Sequence, residues 1–112
     1  MRNPETATAL KQKVKEESLT VIISKMDVDS DESVKRCMDD ILQENGPVDV
    51  LVNNAGIERH SSIEELDMAE FKAVMETNYF GVLRCIKAVL PQMRNDRNGC
   101  IINITSVAGK IA

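Results

Sequence analysis

Apolar residues recur along this chain at two alternating spacings. Residues 11–17 are charged and helix-favouring, with Leu10 and Val14 on one side. They predict the end of a surface helix that begins near Pro4, a residue tolerated in a first turn. Residues 19–26, Leu-Thr-Val-Ile-Ile-Ser-Lys-Met, are β-branched and few, which predicts a strand. Asp29 and Glu32 then stand as a capping-box pair, and Val34, Cys37, Met38, Ile41 and Leu42 follow at helical spacing. Asn45-Gly46-Pro47 stops that helix, because Gly accepts a left-handed backbone and Pro cannot continue.

A second apolar run, residues 48–52, predicts a second strand, and residues 56–66 read as a loop. Asp67 with Glu70 makes another capping box, with Leu66 and Phe71 placed as a hydrophobic staple. The helix they open is expected to reach about Arg94, carrying Phe71, Met75, Val82, Ile86, Val89 and Met93 on its inner stripe. Pro91 is expected to bend it or tighten its last turn. Asn98-Gly99 turns the chain into a third strand, residues 100–105, with Ser106 at its carboxyl end. The order α-β-α-β-α-β implies a parallel sheet and an α/β class. No repeat, linker or low-complexity tract divides the chain, so it reads as one domain.

Composition narrows the partners. The chain is 43% hydrophobic and 29% charged, with a net charge of −4 and a pI near 5.0. Its basic residues are scattered, which argues against nucleic acid or an anionic membrane as a partner. No apolar run approaches the roughly 20 residues that span a bilayer, and Met1-Arg2-Asn3-Pro4-Glu5-Thr6 is not a signal peptide. Cys37, Cys85 and Cys100 lack a C-x-x-C and sit in apolar-patterned segments, so all three read as small buried hydrophobes in a reducing, cytoplasmic setting. His60 is the only histidine and offers no partner for a zinc site, so no metal is expected.

The candidate chemistry begins at Asn53-Asn54-Ala55-Gly56. A buried strand that ends in short amides, a small residue and a glycine lets a flat ligand approach its main chain. The same residues could form a plain turn. Asn78, in Thr77-Asn78-Tyr79-Phe80-Gly81, falls on the expected apolar stripe of its helix. A polar amide there costs about 1–3 kcal/mol unless its hydrogen bonds are met, so it is either a satisfied core amide or a break in the helix facing a site. Ser106 ends a strand where open α/β sheets place ligands, or it only forms a turn. Asp27 either punctuates the following helix or faces a ligand.

Taken together and in order, these motifs resemble the short-chain dehydrogenase/reductases, NAD(P)-dependent oxidoreductases, over residues 2–112. The resemblance implies a partial Rossmann-like, doubly wound parallel sheet with flanking helices. It would supply strands 3, 4 and 5 of the family order 3-2-1-4-5-6-7. It also implies that Asp27 accepts a hydrogen bond from the adenine amino group. Val28, Asn53, Ala55, Gly56 and Thr77 would line the cofactor surface with it. Asn78 would hold a water in a proton relay, and Ser106 would bind the reacting oxygen without acting as a nucleophile. Arg2, standing just after the second strand, slightly favours NADP over NAD through charge-assisted contacts to the extra phosphate, or is only a solvated terminal residue.

Two parts of that family are not in these 112 residues. Gly46, Gly56, Gly81, Gly99 and Gly109 make no glycine cluster of the kind that cradles a pyrophosphate. The family's Tyr-x-x-x-Lys pair, about a dozen residues after the serine, is not reached either; Tyr79 stands elsewhere and Lys110 lacks the partner spacing. Strand 3 would be parted from strand 4 by a gap two strands wide, at about 4.8 Å per strand, leaving apolar edges prone to aggregation.

The reading is an internal fragment of such an enzyme, one partial NAD(P)-binding domain over 1–112, truncated at both ends. Its parent would act on a small carbonyl or alcohol and form homo-oligomers through the helix over residues 67–95. The alternatives are a non-catalytic regulatory or interaction protein that keeps half of the fold, and an unrelated α/β binding domain. Purified residues 1–112, assayed with NADH and NADPH on a panel of ketones and alcohols, are expected to give no turnover above buffer; measurable turnover would overturn the fragment reading.

Overall fold

The computed structural model describes residues 1–107, so Gly109 and Lys110 lie outside it. A 3-10 turn (Pro4–Thr6) leads into α1 (Thr8–Glu16) and then α2 (Asp31–Asn45). Next come β1 (Val50–Asn53), α3 (Met68–Met75), a π segment (Glu76–Phe80), α4 (Gly81–Asp96) and β2 (Cys100–Asn103). β1 and β2 pair in parallel, from Val50↔Cys100 to Asn53↔Asn103. Parallel neighbours need a long crossover, and the unbroken run of α3, π segment and α4 provides it.

Local chemistry sets most boundaries. α2 is capped by Ser30, whose Oγ accepts from the Ser33 N–H at 3.2 Å. The cap falls one residue later than the expected Asp29, because Asp29 turns toward Thr77 and Arg2 instead. Gly46 ends α2 with φ +89°, a conformation costly for any residue with a Cβ. Asp67 caps α3 by accepting from the Ala69 N–H, whereas Glu70 leaves the expected capping box to pair with Arg59 at 3.2 Å. β1 starts at Val50 rather than residue 48, since the Val48 N–H donates to the Gln92 side chain at 3.0 Å. β2 stops at Asn103 rather than residue 105, and one further bond, from the Ile104 N–H to the Asn53 carbonyl, follows it.

Residues 19–26 do not form the expected strand. The Met1 amino group donates to the Ser24 carbonyl at 3.0 Å, and the Met26 N–H donates to the Met1 carbonyl at 3.0 Å. Those two bonds make a single rung of parallel pairing. A ladder needs successive rungs, and none follows among the described residues. β-branched composition favours an extended backbone, but only a neighbouring chain makes it a strand.

The core joins α2, β1 and α4 through Val34, Met38, Leu51, Cys85, Val89 and Met93. Val89 is fully buried. The inner stripe is only partly the one expected: Val89 and Met93 are buried in the core and Ile86 packs against it, as the spacing predicts. Thr77, Gly81, Cys85, Val89 and Met93 face inward, whereas Phe71 and Met75 are 45% and 42% exposed and Val82 and Ile86 are half-buried. The π segment widens one turn, so a phase counted at 3.6 residues per turn does not carry across residues 76–80. Cys37 and Cys85 are buried as expected, but Cys100 is exposed, because it opens a strand with a single described neighbour.

The fold is open. Its radius of gyration is 16.2 Å, against about 13 Å for a compact domain of this length. Its accessible surface is 8780 Å², against about 6,200 Å² for a closed domain of this mass. Val21, Ile22, Val50, Val52, Ile102 and Ile104 account for part of the excess. Among the described residues, no helix is long and apolar enough to cross a membrane.

One glycine fixes how closely α4 meets the chain after residue 26. A Cβ at Gly81 would lie 2.9 Å from Val28 Cγ2 and 3.3 Å from the Val28 carbonyl oxygen. Ala is the better helix former by about 1 kcal/mol, while overpacking costs about 1–3 kcal/mol. Gly81→Ala is therefore expected to lower the urea midpoint, and the loss should shrink in a Val28→Ala background. A midpoint unchanged or raised in the Val28 protein would show that the turn yields without cost.

Candidate functional site

Two parallel strands must end on the same side, and this brings the candidate residues together. Asn53 and Asn103 close β1 and β2, and the Asn53 side-chain N–H donates to Asn103 Oδ1 at 2.9 Å. Asn53 is 7% exposed, so this bond meets the cost of its burial. Beyond it the chain turns through Asn54, Ala55 and Gly56. A cavity of about 70 Å³ opens here, lined by Val28, Asn53, Asn54, Ala55, Thr77 and Gly81 over a floor that includes Leu51 and Cys85.

The second wall comes from the turn before α2. Thr77, 3% exposed, donates its hydroxyl to Asp29 Oδ2 at 2.9 Å. Arg2 holds Asp29 through one guanidinium nitrogen and Asp27 Oδ1 through Nε at 2.8 Å. The Asp29 N–H also donates to Asp27 Oδ1, at 3.1 Å. Arg2, Asp27, Asp29 and Thr77 thus form one chain of charged and polar contacts along the cavity's edge. Asp29 Oδ1 is buried and accepts from no described residue. A buried acceptor of that kind calls for a donor.

Asn78 sits inside the π segment and is exposed, not on the apolar stripe where the helical spacing put it. Its amide meets the main chain of Ile57 twice. The Ile57 N–H donates to Asn78 Oδ1, and Asn78 Nδ2 donates to the Ile57 carbonyl, both at 2.8 Å. The amide therefore pins the loop just past Gly56 to the widened turn. A Cβ on Gly56 would come 3.5 Å from Asn78 Oδ1, an ordinary contact, so this glycine is not demanded by space. Ser106 is exposed and lies three residues past Asn103, the last residue of β2.

The structure thus gathers Val28, Asn53, Ala55 and Thr77 around one cavity. It ties Arg2 and Asp27 to that edge, and sets Asn78 with Gly56 beside it. Ser106 is not among the cavity-lining residues. Sequence reasoning missed Asn103, Asp29 and Arg84. Asn103 ends an apolar run as Asn53 does, a signal that was present. Arg84 gave none, because its partners Val28 and Asp31 lie more than fifty residues away.

Comparison with known proteins follows the same line. The family model described as short chain dehydrogenase matches residues 1–112. The chain is 46% identical over 90 residues to retinol dehydrogenase 8 of Bos taurus, covering 80% of this chain and 28% of that protein. It is 36% identical over 103 residues to a 3-oxoacyl-acyl-carrier-protein reductase of Staphylococcus epidermidis, covering 92% and 42%. A gluconate 5-dehydrogenase from Burkholderia cenocepacia, solved with NADP and tartrate, superposes with a TM-score of 0.89 at 32% identity, over 100% of this chain and 44% of that one. The chain spans less than half the length of these relatives.

The acidic edge has a pH signature. Partial burial alone would raise the Asp27 pKa, but the Arg2 hydrogen bond, the Asp29 N–H and the Arg2 charge outweigh it and hold the carboxyl below its ordinary value. A depressed folded-state pKa means that the contact's stabilisation is present above the unfolded pKa and is lost as pH falls through the folded one. Carbon-13 NMR titration is expected to find Asp27 ionising below an ordinary aspartate in the unaltered chain and moving upward in Arg2→Met. Coincident titration curves would show that Arg2 does not hold it.

Proposed function

The chain belongs to the short-chain dehydrogenase family, and we propose that it is an internal segment of an NAD(P)-dependent oxidoreductase acting on a small carbonyl or alcohol. The observation that carries this reading is the cavity at the carboxyl end of the parallel pair, walled by Val28, Asn53, Ala55 and Thr77. Open α/β sheets bind dinucleotides at that end. The open surface of the fold supports the segment reading, in which residues 19–26, β1 and β2 correspond to the family's third, fourth and fifth strands.

The residues fit the adenosine side of a nicotinamide dinucleotide. Asp27 spends Oδ1 on Arg2 and Asp29, leaving Oδ2 as an acceptor for the adenine amino group. Val28 and Ala55 offer apolar walls to the ring, and Asn53 and Gly56 put short groups beside the ligand path. Thr77 holds the far wall through Asp29. The half-exposed Arg2 guanidinium supports NADP over NAD, since a phosphate could recruit it by charge-assisted hydrogen bonds. The relative solved with NADP agrees with that choice. Two buried thiols, Cys37 and Cys85, suit a reducing compartment such as the cytoplasm. The exposed apolar side chains Phe71, Met75, Tyr79, Phe80, Leu83 and Leu90 support self-association through residues 67–95.

When bound, the nicotinamide supplies or accepts the hydride. The chain's own part is orientation and proton handling. Ser106, past the end of β2, donates a hydrogen bond to the substrate's reacting oxygen. Asn78 opens the helix at the π segment and fixes Ile57, so that main-chain groups of the widened turn can hold a water of the proton relay.

In the full-length enzyme, Asn78→Ala and Ser106→Ala are expected to lower kcat by about 10²–10³ with little change in cofactor affinity, as for loss of a positioned hydrogen-bond donor. Asn53→Ala should instead weaken cofactor binding. Steady-state kinetics with cofactor fluorescence titration separates the two. Values of kcat within about threefold of wild type in both Asn78→Ala and Ser106→Ala would overturn the roles given to them.

A further inference from the structure

Arg84 is absent from the lining of that cavity, yet its guanidinium ties together three parts of the fold. It sits in the first turn of α4 with 21% of its side chain exposed. Its Nε donates to Asp31 at the start of α2, one terminal nitrogen donates to the Val28 carbonyl at 3.2 Å, and the other donates to Glu76 in the π segment. The three acceptors belong to the turn before α2, to the first residue of α2 and to the widened turn itself.

Rigid geometry explains why an arginine stands here. A guanidinium presents its N–H groups in a fixed planar fork, whereas an ammonium is a single point charge on a flexible stem. Only the fork can hold three acceptors from three elements at set directions. One of them is a main-chain carbonyl, so the contact holds the backbone of the turn and not only a side chain. Gly81, one turn earlier, lets Val28 come within what would be 2.9 Å of a Cβ. The glycine permits the approach and the arginine holds it.

We propose that Arg84 is a positioning residue for the adenosine end of the cofactor site. It clamps residues 27–31 against the helical wall and so sets the place of Asp27 and Val28 without touching the ligand. This rests on the dinucleotide reading given above. Glu76 precedes Thr77, which donates to Asp29, so the clamp closes a loop of contacts: Arg84 to Glu76, Thr77 to Asp29, and Asp31 and Val28 back to Arg84. Loosening one corner frees the turn that carries both adenosine-side residues.

The test uses the full-length enzyme, with Arg84→Met, Arg84→Lys and, as a control from the far end of the same helix, Arg94→Met. Three quantities are read: hydrogen exchange over residues 27–33, binding of adenosine monophosphate and of nicotinamide mononucleotide by calorimetry, and kcat at saturating cofactor. Loss of a charge-assisted anchor predicts adenosine monophosphate binding weakened about tenfold in both Arg84 variants. Nicotinamide mononucleotide binding and kcat should stay within about twofold, exchange over 27–33 should accelerate, and Arg94→Met should match wild type. Lysine is expected not to rescue, since it keeps the charge and loses the fork. Unchanged adenosine monophosphate binding, or equal weakening of both mononucleotides, would overturn the proposal, the second because a general loss of structure spares neither end. A wild-type enzyme that binds neither mononucleotide overturns the dinucleotide reading and this proposal with it, and is told apart because the failure precedes any substitution.

Discussion

The contact between α4 and the turn after residue 26 governs the geometry of this protein. Gly81 has no side chain at the point where Val28 crosses, and a single methyl there would stand 2.9 Å from Val28 Cγ2. Because the helix can lie that close, Arg84 reaches the Val28 carbonyl and the first residue of α2. Thr77, one turn earlier, reaches Asp29. The same approach seats Cys85, Val89 and Met93 against Val34, Met38 and Leu51. Close packing of this kind is unforgiving of added volume, so the core and the candidate site share one constraint.

The π segment adjusts that helix to two tasks. A regular helix through residues 68–96 would carry Phe71, Met75 and Val82 in one apolar stripe. The widened turn breaks the phase. Thr77, Gly81 and Cys85 turn inward, Asn78 is free of the ladder's usual register, and its amide anchors the loop at Ile57. Single π turns inside α-helices are often found at functional sites. Here the turn faces both the cavity and the loop that follows the Asn-Asn-Ala-Gly motif.

The chain belongs to the short-chain dehydrogenase family, and its fold is open. The chain superposes closely on less than half of a relative and exposes about 2,600 Å² more surface than a closed domain of its mass would. Hydrophobic stabilisation scales with area removed from water, so side chains such as Val50, Val52 and Ile102, about half exposed, contribute only part of what full burial would give. The small core of α2, β1 and α4 holds the candidate residues in place, and the edges of the two-stranded sheet stay open.

The sequence by itself determined what local chemistry and motif order can carry: the α/β class, the existence of α2, β1, the long helical crossover and β2, the stop at Gly46, the cap at Asp67, and the family through Asn53-Asn54-Ala55-Gly56, Thr77-Asn78 and Ser106. Each is legible because it depends on neighbours a few residues apart. What only the tertiary structure decided depends on partners far along the chain. Residues 19–26 have strand composition but too few rungs of a ladder. Asp29 leaves its expected cap for Thr77, and Ser30 takes it. Cys100 is exposed because β2 has one described neighbour. Val89 and Met93 stay on the inner stripe, but before them Thr77, Gly81 and Cys85 replace Phe71, Met75 and Val82 because the π turn shifted the phase, and Arg84 became a clamp because folding brought Val28, Asp31 and Glu76 within reach of one guanidinium. Periodicity reports which face of an element is apolar, but pairing, helix phase and long-range charge contacts are settled only when the elements meet.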